Sequence, residues 1–204
     1  MKKTEPFFIH INSFIEHMKT ELKSDKTIET YINGLNSFRK YLTEVLNMDI
    51  EKIIFNDIND NIIRSYLKYV MDNGSSLATR NIKLVSIKEY IRYCAHHDIT
   101  LVPLQLSVSK IKTKKIIPKQ HNWITKEQVE LLLEQPSRNR TGIRDRFIIL
   151  FLFSTGTRLN EMLECRISDI HLNNKDPYVI VTGKGSKRRV IPLTNELTEN
   201  MKIY

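Results

Sequence analysis

Residues 147–161 read FIILFLFSTGTRLNE, seven consecutive apolar residues followed by a glycine turn and an arginine. The apolar run is compatible with a buried helix or a buried strand, and periodicity alone does not separate the two. Gly156 is a natural helix stop. Helical spacing resumes over residues 159–170. We therefore expect a turn that presents Arg158 at the start of a helix, with Glu161 on the same face to orient it. An ordinary surface ion pair is the alternative.

A second stretch, residues 178–193, reads YVIVTGKGSKRRVIPL. Short runs rich in β-branched residues at 178–182 and 188–193 flank a five-residue tip, which predicts a β-hairpin. Small residues at the tip would let it approach another backbone closely. A solvated turn is the alternative. Four cations and no acid lie at this tip: Lys184, Lys187, Arg188 and Arg189.

Two nucleotide-binding motifs do not fit this glycine-lysine loop. A phosphate-binding loop needs glycine at position 178 and serine or threonine at 185, where the chain has Tyr178 and Gly185. A dinucleotide fingerprint fails because Arg188 occupies the third glycine position and no helix follows. The histidines show no cluster that suggests a metal, and we interpret the adjacent His96 and His97 as solvated surface.

The first hundred residues predict four helices. The first apolar stripe extends from Phe7 to Leu22 and the second from Ile28 to Val45, with Ser24 and Asp25 at the helix start. A third helix should follow Asn59 and end near Asn73 and Gly74. Ser75 and Ser76 can cap a fourth helix, which carries apolar residues on two sides and should be central to its bundle. Four such helices with short connections form a compact all-α domain that ends near Ile99.

Residues 103–122 differ in composition from the helices before them. The stretch has no acid, and prolines at 103 and 118 favour extended backbone before each of them. We interpret it as an interdomain linker between a domain at 1–102 and one at 123–204. It either is merely solvated or lies along a phosphate backbone, and the second interpretation is favoured. Its lysines are Lys110, Lys112, Lys114, Lys115 and Lys119.

The second domain should begin with a helix, since Thr125 and Gln128 form a capping-box pattern. It should end with another that Thr194 can cap. The fold class is therefore mainly α, with a small antiparallel β-hairpin or sheet in the second domain.

Composition limits the function classes. The chain has 204 residues and a net charge of +9, from 32 Lys+Arg against 23 Asp+Glu. The composition is not that of a disordered protein. No apolar run is long enough to span a bilayer, and the chain shows no secretory signal. Two distant cysteines predict reduced thiols in a cytoplasmic protein. The charge favours nucleic acid as partner, although a basic protein whose charge serves only solubility is the alternative.

Taken together, these stretches resemble the tyrosine recombinases of the phage integrase and Xer type. Residues 154–170 are similar to the family's first catalytic box, T-G-x-R-x-x-E-x-x-x-L, except that Cys165 or Arg166 stands at the final leucine position. Residues 181–193 are similar to its catalytic hairpin, G-K-G-x-K-x-R-x-x-P-L. Residues 27–38 and 76–88 resemble its core-binding domain. The resemblance implies a four-helix core-binding (SAM-like) domain and an incomplete α+β catalytic domain.

The resemblance also implies residue roles. Arg158 would stabilise the transition state, Lys184 would be the general acid, and Glu161 would support Arg158. No metal, cofactor, membrane or small-molecule substrate is implied. The partner would be a double-stranded DNA recombination site, on which the full-length protein forms a tetramer. The DNA-contacting residues would be Lys26, Thr27, Thr79, Arg80, Asn81, Lys83, Lys110, Lys112, Lys114, Lys115, Lys187, Arg188 and Arg189.

The family's His-x-x-Arg box and nucleophilic tyrosine are not found in these residues. Tyr204 lies only twenty positions after Lys184 and is rejected as the nucleophile. We therefore expect the N-terminal portion of a recombinase or related transposase, monomeric and inactive alone. A truncated DNA-binding regulator of recombination sites and a basic helical protein that binds no DNA are the alternatives.

Overall fold

The structure is a computed structural model that describes residues 4–118, 123–183 and 185–203. The chain forms two compact units, Met1–Lys119 and Gln120–Tyr204. In the described part of the first unit the helices are α1 (Ile11–Thr20), α2 (Asp25–Lys40), α3 (Asp60–Asp72), α4 (Leu77–His97) and α5 (Val102–Ser109). None of the helices within the described ranges is both long and apolar enough to cross a membrane.

Local capping signals place the helices of the first unit. Ser24, Asn59 and Ser76 are the N-caps of α2, α3 and α4, and each side chain accepts a backbone N–H from three residues later. Such a cap stabilises a helix by about 1 kcal/mol. Helix α3 is followed by Gly74 in the left-handed region, with φ of 77°. These starts and this stop confirm the sequence-based predictions.

Helix α4 is the centre of the first unit. It packs against α2, α3 and α5, and Leu84, Ile87 and Tyr90 are fully buried. Helices α2 and α4 cross closely, since a Cβ on Gly34 would lie 2.3 Å from the Ser86 hydroxyl oxygen. The prediction that the fourth helix is central is confirmed.

Two positions depart from the predicted apolar stripes. Leu22 is 91% exposed and has a left-handed φ of 55°, because α1 has already ended at Thr20. Val45 is also exposed. Helix α2 continues there into a π-helical turn, Tyr41–Val45, whose wider spacing takes Val45 off the buried face.

The predicted extended backbone before Pro103 is wrong. Val102 and Pro103 begin helix α5, since proline is well tolerated in the first turn of a helix, where its missing N–H has no partner to lose. Val108 and Ile111 then lie in the same buried core as α4. The first part of the predicted linker is thus folded structure of the first unit, and an exposed backbone without helix or strand follows at residues 112–118.

The second unit contains α6 (Lys126–Glu134), α7 (Arg140–Thr155), α8 (Leu159–Leu163) and α9 (Asn195–Ile203). Thr125 and Gln128 form the predicted capping box of α6. The apolar run at 147–153 is helical, as part of α7. Gly156, with φ of 61°, is the C-cap of this helix. Helix α9 follows Thr194, whose hydroxyl accepts the Leu197 N–H at 3.2 Å, as predicted.

A three-stranded antiparallel sheet completes the second unit. Its order is β1 (Ile170–His171), β2 (Tyr178–Thr182) and β3 (Arg188–Pro192), with Ile180 opposite Val190. The predicted hairpin is present, and β1 is an additional strand. Buried residues of α7, of α9, of strand β2 and of the residue after β3 form one core: Leu150, Phe151, Val179, Val181, Leu193 and Leu197.

The helix predicted over 159–170 is shorter than expected. Helix α8 ends at Leu163, and Arg166 has extended backbone with φ of −100° and ψ of 157°. The Asp169 carboxylate accepts the Arg166 N–H at 3.1 Å and so caps a separate 3₁₀ turn. Capping by Asp169 explains why apolar spacing alone overestimated the helix.

Candidate active site and nucleic-acid interface

Arg158 is the N-cap residue of helix α8, two residues after the left-handed turn at Gly156. Its backbone is extended, and its side chain is 76% exposed. One guanidinium nitrogen, Nη1, donates to Glu161 Oε1 at 2.9 Å. The local turn therefore presents an arginine that is held at one end and open to solvent over most of its surface.

Glu161 is the buried acid at the centre of this arrangement, with a side chain 6% exposed. Its Oε2 accepts the backbone N–H of Arg158 at 2.9 Å. Arg189 donates two further hydrogen bonds to this carboxylate, from Nη1 to Oε1 at 3.2 Å and from Nη2 to Oε2 at 2.7 Å. The hydrogen bonds from Arg189, followed by the backbone N–H of Arg158, lower the pKa of Glu161 to about 2.

The bond to Arg189 joins the hairpin to the start of helix α8. It was not predicted, because the two residues are 28 positions apart and only the fold brings them together. A Cβ on Gly183 would lie 3.1 Å from both Arg189 Nη1 and Glu161 Oε1, so this glycine permits the close approach. The small residue at the first tip position thus serves the packing of the ion pair.

A second acid holds the tip-side end of strand β3. Arg188 Nη2 donates to Asp169 Oδ1 at 3.3 Å, with the Asp169 side chain 23% exposed. Arg188 and Arg189, both expected to contact DNA, are therefore each engaged with a carboxylate from an earlier part of the unit. The absence of acids at the tip, as seen in the sequence, did not reveal these partners.

The hairpin tip itself is exposed. Gly183 N donates to the Lys187 carbonyl oxygen at 2.8 Å, and Gly185 and Ser186 both have positive φ. Lys187 is exposed and forms no ion pair with an acid among the described residues. Lys184, the expected general acid, lies outside the described residues, as does Tyr204.

The basic segment of the first unit has a defined position. Asn81 of α4 donates from Nδ2 to the Lys114 carbonyl oxygen at 2.8 Å and accepts the Lys114 N–H at 2.9 Å. Arg80 donates to the Lys112 carbonyl oxygen at 3.3 Å. Arg80 and Asn81, expected to contact DNA, thus bind the backbone of the segment that follows α5. All four expected lysines of that segment are exposed: Lys110, Lys112, Lys114 and Lys115.

The remaining expected DNA contacts lie at helix starts or on α4. The hydroxyls of Thr27 and Thr79 bond the N-cap serines of their helices, at 2.9 and 3.0 Å. Lys26 forms an exposed ion pair with Glu29 at 3.1 Å. The ammonium of Lys83 lies 5.9 Å from the centre of the Tyr66 ring, and burial lowers the pKa of Lys83.

Acidic and sulfur ligands do not converge in the part of the chain that the structure describes. No group of three or more His, Cys, Asp or Glu residues in residues 4–118, 123–183 and 185–203 is placed to hold a metal ion. Burial raises the pKa of the Cys94 thiol to about 12.

Comparison with known families identifies both units. The model of the Phage integrase family matches residues 122–204, and that of the phage integrase N-terminal SAM-like domain matches residues 11–97. The chain belongs to the phage integrase family of tyrosine recombinases. The resemblance to that family, the mainly helical fold and the SAM-like first domain are thereby confirmed.

Curated relatives of this tyrosine recombinase chain align along almost all of it. The tyrosine recombinase XerC of Pelotomaculum thermopropionicum is 26% identical over 199 residues, 97% of this chain and 63% of the relative. XerD of Oceanobacillus iheyensis is 25% identical and covers 95% of this chain and 63% of the relative. The chain therefore spans somewhat under two thirds of the length of these relatives.

Solved structures share the fold at low identity. The XerH site-specific recombinase bound to its difH substrate has a TM-score of 0.71 and 21% identity, covering all of this chain and 70% of that protein. A lambda integrase tetramer bound to a Holliday junction has a TM-score of 0.72 and 16% identity, covering 95% of this chain and 54% of that protein. Recombinases that were crystallised on DNA thus share the fold of this chain.

Proposed function

We propose that this chain forms the DNA-binding portion and part of the active site of a site-specific recombinase, which breaks and rejoins duplex DNA during integration, excision or transposition. In the reaction, a tyrosine oxygen attacks a DNA phosphorus, the 5′-oxygen leaves with a proton, and a 3′-phosphotyrosyl bond keeps the strand ready for rejoining. The nucleophile is assigned to none of these 204 residues. The full-length protein would act as a tetramer on paired sites, and this chain alone would be a monomer.

Arg158 is the proposed transition-state stabiliser. Charge develops on the non-bridging phosphate oxygens, and a guanidinium fork can donate two hydrogen bonds to them. The observation that carries the proposal is the state of this arginine. Its side chain is 76% exposed, yet the buried Glu161 accepts one hydrogen bond from its guanidinium and one from its backbone N–H. An orienting carboxylate beneath an open guanidinium suits binding of a phosphate better than it suits a surface ion pair.

Lys184 is the proposed general acid, which gives its proton to the leaving 5′-oxygen. Its support is the hairpin on which it lies. The two arginines of β3 hold the tip-side end of that hairpin to Glu161 and Asp169, so the position of the tip is tied to that of Arg158. Glu161 would support Arg158 and take no part in proton transfer.

A strand-cleavage assay on the full-length recombinase tests these roles. Lys184→Ala and Arg158→Ala should each slow cleavage by a factor on the order of 10²–10⁴. Lys184→Ala should leave DNA affinity nearly unchanged, with Lys175→Ala, at an exposed lysine between β1 and β2, as the matched control. A large loss of binding in Lys184→Ala would instead make the hairpin a DNA anchor.

The 204-residue chain tests the binding part separately. It should bind duplex DNA with an affinity that falls steeply with salt and should not cleave it. Absence of binding at low salt would overturn the proposed function in favour of a basic protein without a DNA partner. Sequencing downstream of codon 204 addresses the regulator alternative, since an open frame with the remaining boxes supports the recombinase and a stop codon supports the regulator.

A further inference from the structure

The backbone that follows helix α5 is held along helix α4 by side-chain hydrogen bonds. Asn81 meets the peptide of Lys114 with one donated and one accepted bond, at 2.8 and 2.9 Å. This pairing fixes both the position and the orientation of that peptide, as a neighbouring β-strand would. Arg80 Nη1, whose residue is only 7% exposed, adds a bond to the Lys112 carbonyl oxygen.

Lys88 holds the other end of the same segment. Its ammonium donates to the carbonyl oxygens of Ser109 and Ile111, at 2.9 and 2.6 Å. Because Lys88 and Asn81 are seven residues apart on α4, they lie about 10 Å apart along the helix. Residues 109–114 therefore lie antiparallel to α4, with the side chain of Ile111 buried beneath them.

Within the described residues, the cations of this region have no acidic ion-pair partner. None of the ion pairs among the described residues includes them. Burial lowers the pKa of Arg80, and burial together with the charge of Arg80 lowers that of Lys88. Arg80 thus donates to the Lys112 carbonyl and Asn81 amide oxygens, and Lys88 donates to two backbone carbonyl oxygens. A nearby anion would stabilise this arrangement of cations on uncharged oxygens. The lysines around them, Lys110, Lys112, Lys114 and Lys115, point to solvent.

We propose that Arg80, Asn81 and Lys88 are positioning residues, which fix residues 109–114 on α4 so that the exposed lysines are already in place for DNA phosphates. Binding then requires less ordering of the segment, which raises affinity without further contacts. This inference rests on the proposed DNA-binding function. It assigns Arg80 and Asn81 to the backbone of the segment, where the family resemblance implied direct contact with DNA.

The test is Asn81→Ala, with Asn36→Ala, at an exposed asparagine of α2, as the matched control. Affinity of the 204-residue chain for a short duplex of random sequence is measured over a salt series. Asn81→Ala should weaken binding by roughly three- to tenfold. The slope of log affinity against log salt should stay close to that of the wild type, because the lysines themselves still reach the phosphates. Without DNA, it should also remove the hydrogen-exchange protection of the Lys114 amide.

A double-mutant comparison separates positioning from direct contact. In a Lys112→Ala/Lys114→Ala background, Asn81→Ala should cause little further loss of affinity, because the lysines that it positions are gone. A full additional loss would mean that Asn81 contacts DNA itself, and it would overturn the inference. If Asn81→Ala does not fold, Lys88→Met removes the hydrogen bonds at the other end and is read in the same way.

The remaining outcomes are distinguishable. A wild-type chain with no salt-dependent affinity for the duplex overturns the proposed function and the inference with it. A wild-type chain that binds, together with Asn81→Ala that loses the Lys114 protection and keeps full affinity, overturns the inference alone.

Discussion

The two basic regions of the molecule, the hairpin and residues 109–115, differ in whether their cations are paired with acids. At the hairpin and the start of helix α8, Arg158, Arg188 and Arg189 each lie within 3.3 Å of a carboxylate oxygen of Glu161 or Asp169. Around residues 109–115, within the described residues, the lysines have no such partner, and the α4 side chains beneath them bind backbone carbonyl oxygens.

The difference indicates a difference in task. A carboxylate fixes the direction of an arginine and offsets its charge, which suits a group that must meet one phosphate in one geometry. A cation without an acid retains its full charge for a polyanion and contributes to affinity through counterion release. The net charge of +9 contains both kinds and does not distinguish them.

The largest expected effect is on DNA affinity, from replacing the unpaired lysines. Changing Lys110, Lys112, Lys114 and Lys115 together to alanine should lower affinity for all sequences. It should also reduce the salt slope by about 3 to 4, about 0.9 for each lost phosphate contact. Titration of the 204-residue chain with unrelated duplexes over a salt series measures both.

The paired arginine Arg188 provides the contrasting variant. Arg188→Gln should reduce the slope by less than about 1, because Asp169 already offsets its charge. Equal slopes for the quadruple variant and the wild type would show that the unpaired lysines do not contact phosphates. A change confined to site preference would mean that the lysine segment reads bases.

A smaller effect is expected on stability in acid. The pKa of Glu161 is lowered from 4.5 to about 2, so its ionised form stabilises the folded state above the unfolded-state pKa. That contribution is lost as the pH falls from about 4.5 through about 2. Glu161→Gln should therefore lower the Tm at neutral pH, and its deficit should shrink over this acid window. Thermal unfolding followed by circular dichroism at several pH values measures it.

Glu164, an exposed glutamate after helix α8, provides the control. Glu164→Gln removes the same charge from the same turn without a described ion pair, and should leave the Tm close to that of the wild type. A constant deficit of Glu161→Gln across the whole pH range would show that its ionisation does not stabilise the fold.

The sequence predicted what local signals determine. Ser24, Asn59, Ser76 and Thr125 cap helices where expected because a cap acts on an N–H only three residues away. It missed helix α5, because Pro103 suggested an extended backbone while also fitting a first helical turn. The basic composition of residues 103–122 was recognised, but the helical structure of residues 103–109 was not predicted.

The long-range pairs were beyond local patterns. Asn81 and Lys114 are 33 residues apart, and Glu161 and Arg189 are 28 apart. The sequence around each of these residues does not indicate its partner, because each contact depends on how the helices and strands pack. The predicted contact of Glu161 with Arg158 is present because it spans one helical turn. The site roles of Arg158 and Lys184 stay predictions.

The smallest expected effect distinguishes two glycines of the hairpin tip. A methyl group on Gly183 would lie 3.1 Å from Arg189 Nη1 and Glu161 Oε1, whereas one on Gly185 would meet nothing within 4 Å. Gly183→Ala should therefore push the ion pair apart and raise the pKa of Glu161, seen by NMR titration of its side-chain carboxyl. Gly185→Ala should cost about 1 kcal/mol of backbone strain at its φ of 75° and leave that pKa unchanged. If both variants leave the Glu161 titration at its wild-type position, Arg189 yields without loss of its bonds, and the tip is not tied to Arg158 through Gly183.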